Sequence, residues 1–178
     1  FTDKLFVPEM VEHVRSLGKK AIAWNPGWPF KSKEVDLLHL WSSKGRIVYG
    51  TPAIDSRYHY LNHYDLFADI QMLYSSRVLG VDASNTRVMG AILAVWNDRY
   101  VESPRAIMQE NAVYPNMLAL AERAWLGGGA GYFNAPTAAL SPEASPETRE
   151  AFVDFERRLL WHKDRVFAGE PLPYVAQS

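Results

Sequence analysis

Two periodicities divide this chain. Val11, Val14 and Leu17 recur at helical spacing behind Val7-Pro8, a proline suited to a first helical turn, and Gly18 is placed to stop the helix. Four short apolar runs read instead as buried strands: KKAIAWN (19–25), VDLLHLW (35–41), RIVYG (46–50) and VMGAILAVWND (88–98). NPGWPFKSKE joins the first two and is too rich in proline and glycine for regular structure; the turn SSKG joins the next pair. TPAIDSRYHYLNH (51–63) and GVDASNTR (80–87) read as loops. Between them, Leu66, Phe67, Ile70, Leu73 and Tyr74 share one face of a helix over 65–75. A long helical pattern runs from about 103 to 125, broken or kinked near Pro115, and GGGAG (127–131) ends it. Phe152, Phe155 and Leu159 mark one more amphipathic helix in the tail.

Four apolar runs with helices before the first and after the last predict an α/β fold with a mainly parallel sheet. The links between the first three runs are too short for full helices, so the sheet is expected to be irregular there. A parallel barrel accommodates the counts, and a doubly wound sheet does almost as well. Neither GxGxxG nor GxxxxGK[ST] occurs, which weakens nucleotide-binding versions of the second. Apolar residues make up 48% of the 178, enough for a sizeable core. A formal charge of −1 with no basic stripe argues against nucleic acid and anionic membrane surfaces as partners. No apolar stretch approaches the ~20 residues of a spanning helix. The absence of cysteine excludes disulfides and thiolate metal sites. Phe1 running straight into a helix signal leads us to expect a chain that begins partway through something larger.

Three of the four runs end in tryptophan: Trp24, Trp41 and Trp96. In a parallel barrel these ends share the C-terminal face, where such enzymes build their sites. Indoles beside a carboxylate and amides suit sugars, whose C–H faces pack on rings and whose hydroxyls need acceptors such as Asp98. A single tryptophan at a strand end is more often core packing, and Trp28, Trp125 and Trp161 are read that way. His13 and His162 are expected to be solvated on helices, and His39 to be hydrogen-bonded in the core. His59 and His63, four residues apart without a plausible acidic partner, make a weak case for zinc. Glu102, Glu110 and Glu122 are expected to pair with arginines at the surface.

The succession KKAIAWN, LLHLW, YHYLNHYD and GAILAVWND…YPNMLALAERAW resembles the second half of the catalytic barrel of family 20 glycoside hydrolases, the β-N-acetylhexosaminidases. The resemblance covers roughly residues 5–127. It implies that 1–130 form the C-terminal half, about four strands, of an irregular (β/α)8 TIM barrel, followed by a helical extension over 131–178. It implies a retaining exo-glycosidase that removes terminal β-linked GlcNAc or GalNAc, with the substrate's own acetamide as nucleophile and no cofactor or metal. Trp24, Trp41 and Trp96 match the indoles of the acetamido pocket, and Tyr60 the tyrosine that bonds the acetamido oxygen. Asn62 stands where the family often has Asp, and Asp98 where it often has Glu; both positions contact sugar hydroxyls. The family's adjacent Asp-Glu pair, acid and acetamide-orienting carboxylate, has no match, since that dipeptide occurs nowhere in the chain. The chain alone is therefore expected to be inactive, and to self-associate or sit against a complementary chain carrying the rest of the barrel. The residues fix no compartment; the resemblance implies a periplasmic or extracellular setting.

Two other readings stay open. One is a self-contained, non-catalytic module that grips GlcNAc-containing glycans. The other is a different barrel glycosidase with Asp98 as one catalytic carboxylate and Asp55 as the only evident second.

Overall fold

The structure, a computed structural model, describes residues 5–61, 69–82, 84–96, 102–110, 113–131 and 139–170. Helix α1 (Phe6–Ser16) precedes strands β1 (Ile22–Asn25), β2 (Leu37–Leu40) and β3 (Ala53–Asp55); then follow α2 (Ile70–Ser75), β4 (Val88–Ala91), α3 (Pro104–Glu110), α4 (Val113–Leu126) and α5 (Pro146–Val166). The four strands form one parallel sheet in the order β1-β2-β3-β4, so the chain is α/β as its pattern predicts. It divides into two units, Phe1–Tyr58 with Ala83–Ile92, and His59–Asp82 with Leu93–Ser178.

The first unit holds the whole sheet. Leu38, Leu40 and Ala53 are buried on one face of it. No helix separates β1 from β2 or β2 from β3, and the turns that replace them lie tightly against the strands. A Cβ on Gly45 would sit 2.8 Å from the Asn25 carbonyl oxygen and 3.1 Å from the Leu40 Cβ, so only glycine fits there without movement. Helix α1 ends as predicted, with Gly18 at φ +69° and its N–H bonded to the Arg15 carbonyl. It buries none of its own residues. Arg15 reaches Asp36, whose Oδ2 accepts the Ala21 N–H at 2.7 Å and so fixes the entry to β1. That backbone bond, and then Arg15, hold the Asp36 carboxyl below its usual range.

One strand lies elsewhere than the pattern predicts. RIVYG forms no strand: the Arg46 N–H donates to the Asn25 side-chain amide oxygen, and Tyr49 is 82% exposed. The third strand is Ala53–Asp55, inside the stretch read as a loop. Its register is fixed by the Leu38 N–H on the Pro52 carbonyl and the Ala53 N–H on the Arg87 carbonyl. Tertiary pairing has overridden the β-propensity of Ile47 and Val48.

The second unit is built on aromatic rings from α2, α4 and α5. Phe152, Phe155 and Leu159 are buried, as their spacing predicts, and pack with Tyr74, Leu73 and Tyr114. Tyr74 stacks on Phe155 at 4.7 Å and meets Phe152 edge-on at 5.6 Å. The long helical pattern does break at Pro115: Tyr114, at φ −97° and ψ 128°, leaves the helical region as a residue before proline must. Gly127, Gly128 and Gly129 all have positive φ and end α4. At Gly129 a Cβ would meet the Ser75 carbonyl oxygen at 2.8 Å, a closeness that lets Ser76 and Ala130 form a parallel bridge. Helix α5 starts at Ser145, whose Oγ accepts the Thr148 N–H, with Pro146 in the first turn. Glu122 pairs with both terminal nitrogens of Arg158, at 2.6 and 2.8 Å, as expected of a surface carboxylate facing an arginine.

Three readings of single residues need correction here. Trp125 and Trp161 do not pack but are 89% and 58% exposed. His162 is half-buried, not solvated, with Nδ1 3.3 Å from the Tyr114 hydroxyl. Its position three residues beyond Leu159 puts it on the apolar face of α5.

Candidate functional site

Trp24 and His39 are register partners on β1 and β2, so their side chains share one face of the sheet. Their ring centroids are 4.6 Å apart, tilted by 53°. Trp41, one residue past β2, brings its ring to 6.2 Å from that of Trp24, tilted by 55°. Its indole N–H donates to the Pro26 carbonyl at 2.8 Å, which anchors the ring to the irregular connection after β1. Trp24 and Trp41 stay 45% and 39% exposed, offering apolar ring surface to solvent. His39 beneath them is buried, as the apolar run around it predicts. Its Nε2 lies 2.5 Å from Ser56 Oγ. Burial pushes the imidazole below its ordinary pKa, with the negative charge of Asp55 acting against it.

Asp55 pairs in register with Leu40, the residue after His39, and so points to the opposite face. It is fully buried, with Oδ1 2.9 Å from Arg57 Nε and Oδ2 3.3 Å from Arg57 Nη2. Both carboxylate oxygens are thus held by one guanidinium. Asp55, expected in a loop, ends β3 as a buried, ion-paired carboxylate.

In the second unit, Tyr60 and Ala94 form a parallel bridge, reinforced by the Leu61 N–H on the Ala94 carbonyl and the Ala94 N–H on the His59 carbonyl. The bridge brings the rings of Tyr60 and Trp96 to 6.4 Å at 34°. Trp96 is 51% exposed and Tyr60 is half-buried. Asn62 and Asp98 lie outside the described residues, as does His63. His59 is buried, and no cluster of three metal-ligating side chains occurs among the described residues. No helix among them is long and apolar enough to cross a membrane.

The second unit also contains a cavity of about 800 Å³ that includes none of the candidate site residues read from the sequence. Tyr74, Ser75, Arg123, Ser141, Glu147 and Thr148 contribute to its wall. Arg123 is already committed there, donating from Nε to the Tyr74 carbonyl and from Nη1 to the Gly127 carbonyl. Ser75 Oγ is buried with no hydrogen-bond partner. Its desolvation is uncompensated, so Ser75→Ala should leave stability unchanged or raise it by about 1 kcal/mol. Urea unfolding reads this directly, and a loss of more than about 1 kcal/mol would reveal a partner for the hydroxyl.

No protein-family model matches the chain, and no curated protein matches it. Its functional reading therefore rests on the side chains. Each aromatic group combines exposed ring faces with a polar neighbour: His39 with Trp24, and the Tyr60 hydroxyl with Trp96. Such pairs grip a ligand that alternates apolar faces with hydrogen-bonding groups.

Proposed function

We propose that this chain is part of a retaining exo-β-N-acetylhexosaminidase and supplies its acetamido recognition and sugar-hydroxyl contacts. What supports the reading is the Trp24–Trp41 pair: two half-exposed, mutually tilted indoles at the C-terminal ends of adjacent parallel strands. Barrel enzymes place their chemistry at those ends. In this reading the sheet belongs to an irregular (β/α)8 barrel, with 1–130 its C-terminal half and 131–178 a helical extension. Among the described residues no further strand pairs with the outer edges of β1 and β4, where Ile22 and Met89 are exposed, and in this reading a complementary chain or a second copy does so.

Substrate-assisted hydrolysis of this kind replaces the enzyme nucleophile with the carbonyl oxygen of the 2-acetamido group. The rate then depends on holding that oxygen near the anomeric carbon in a dry site. In this reading the Trp24–Trp41 indoles serve to exclude water and confine the methyl end of the acetamide, the part that the resemblance also gives to Trp96. The Tyr60 hydroxyl donates to its oxygen, a fixed dipole where charge develops. Asn62 and Asp98 bind ring hydroxyls. Protonation of the leaving oxygen falls to the Asp-Glu pair, which this chain lacks.

That missing pair is the specific observation favouring the second reading, a module that binds GlcNAc-containing glycans without chemistry. Titration with a GlcNAc-derived thiazoline, a mimic of the cyclised acetamide, separates the two when tryptophan fluorescence is followed. A pocket shaped for the intermediate should bind the thiazoline at least about 100-fold more tightly than methyl β-GlcNAc, with the preference lost in Trp96→Ala and Tyr60→Phe. Equal affinity for both compounds would identify a binding module. Release of the aglycone from an aryl β-GlcNAc by this chain alone would refute the assignment of the acid pair elsewhere.

A further inference from the structure

One dipeptide at the end of β1 holds Trp41. The Trp41 backbone N–H donates to the Asn25 carbonyl at 3.1 Å, and its indole N–H to the Pro26 carbonyl at 2.8 Å. A third bond involves the Asn25 side chain, whose Oδ1 accepts the Arg46 N–H at 2.9 Å. Chemistry fixes every role in this set: a backbone or indole N–H can only donate, so the Asn25 atom facing Arg46 is its oxygen.

The two Asn25 bonds act on either side of Trp41. The first extends the β1–β2 ladder and sets the backbone that enters the residue. The second closes the turn that leaves it, where the Gly45 N–H meets the Ser42 carbonyl at 2.7 Å. Arg46 adds its guanidinium to the same turn, donating from Nη1 to the Ser43 and Gly45 carbonyls. Asn25 is itself buried and in register with Leu40, so this clamp stands on a rigid base. Trp41, by contrast, is 39% exposed. Water competes for its indole N–H, and one bond to Pro26 is a weak restraint on so large a ring. The direction in which the chain leaves Trp41 decides whether the ring stays on that bond.

We propose that Asn25 is a positioning residue: its carboxamide holds the turn after β2 against the end of β1, and so keeps the Trp41 indole at the tilt at which the Trp24–Trp41 pair receives the ligand. Asn25 follows Trp24 on β1 and so points to the other face of the sheet. It acts on the ligand through Trp41 and does not touch it. The inference rests on the sugar reading for the identity of the ligand, though not for the clamp.

Two variants isolate the acceptor oxygen. Asn25→Asp keeps an oxygen for the Arg46 N–H, and Asn25→Ala removes it. The test is ¹⁹F NMR of the chain labelled with 5-fluorotryptophan, the Trp41 resonance being assigned by its loss in Trp41→Phe. It is paired with thiazoline titration. The wild type and Asn25→Asp should each give one sharp Trp41 line, with affinities within about threefold of each other. In Asn25→Ala the line should broaden and shift, and affinity should fall about tenfold, the scale of one lost hydrogen bond. A sharp, unshifted line in Asn25→Ala, or equal damage in both variants, would overturn the proposal. Hydrogen exchange of the wild type carries the test even if Asn25→Ala fails to fold. The clamp predicts that the Arg46 amide and the Trp41 indole N–H open together, with protection equal to within about threefold. An indole N–H protected more than about tenfold beyond the Arg46 amide would show that Pro26 holds the ring without the turn, and would also overturn the proposal. The spectra and the exchange need no ligand. If they respond as expected while the wild type ignores the thiazoline, the sugar reading fails, and the ligand part of the proposal falls with it.

Discussion

Phe152→Ala should lower the free energy of unfolding by about 3–5 kcal/mol, among the largest effects of any single substitution in this chain. The side chain is fully buried, and its ring is met edge-on by Tyr74 and at a 45° tilt by Phe155, 6.2 Å away. Truncation removes the transfer free energy of the ring and leaves a cavity lined by aromatic groups too stiff to collapse into it. Val153, the next residue along α5, is 45% exposed. Val153→Ala therefore serves as the control and should stay within about 0.5 kcal/mol of the wild type. Because the chain has two units, hydrogen exchange is the better measurement. Amides of α2 and α5 should lose protection, and those of β2 should keep theirs. Equal loss in both units would mean that they unfold as one.

Arg57→Met should be comparably damaging, for an electrostatic reason. Asp55 is fully buried, and Arg57 holds both of its oxygens while itself only slightly exposed. Removing the guanidinium leaves the buried carboxylate without its opposing charge, facing neutral donors such as the Arg57 N–H at 3.1 Å, a loss of about 3–5 kcal/mol. The pair itself is worth much less than this figure. The double variant Arg57→Met/Asp55→Leu should recover most of the stability, because no charge then remains to be buried. Chemical denaturation of the two single variants and the double gives the coupling. Additive losses would show that the carboxylate draws its compensation from elsewhere.

The same ion pair explains why the sheet was only partly legible from the sequence. β1 and β2 announce themselves as short apolar runs, and the parallel arrangement follows from their lack of alternation. β3 does not. Its three residues include a carboxylate that reads as solvent-facing until Arg57, two positions on, is seen to neutralise it. RIVYG looked more strand-like by composition, but the Asn25 side chain claims the Arg46 N–H that a strand would have used. Helix spacing fared better, because an apolar stripe states which face is buried. It cannot state what covers that face. Hence Phe152 and Phe155 were legible, whereas the exposure of Trp125 and Trp161 was not. Of the candidate site, the Trp24–Trp41 pair was visible in the sequence, and so was the burial of His39. The partner of His39 was not, because Ser56 lies just past β3, 17 residues away.

Between Tyr58 and residue 83 the chain belongs to the second unit. A sheet whose strand order follows the sequence would ordinarily assemble as it emerges from the ribosome. Here β1, β2 and β3 are complete by Asp55, but β4 begins only at Val88. At about 5–20 residues per second, the outer edge of β3 waits roughly two to seven seconds for its neighbour. During that interval its N–H and C=O groups are open to any passing strand. Three residues make a poor template for a stranger, so the brevity of β3 protects the nascent chain.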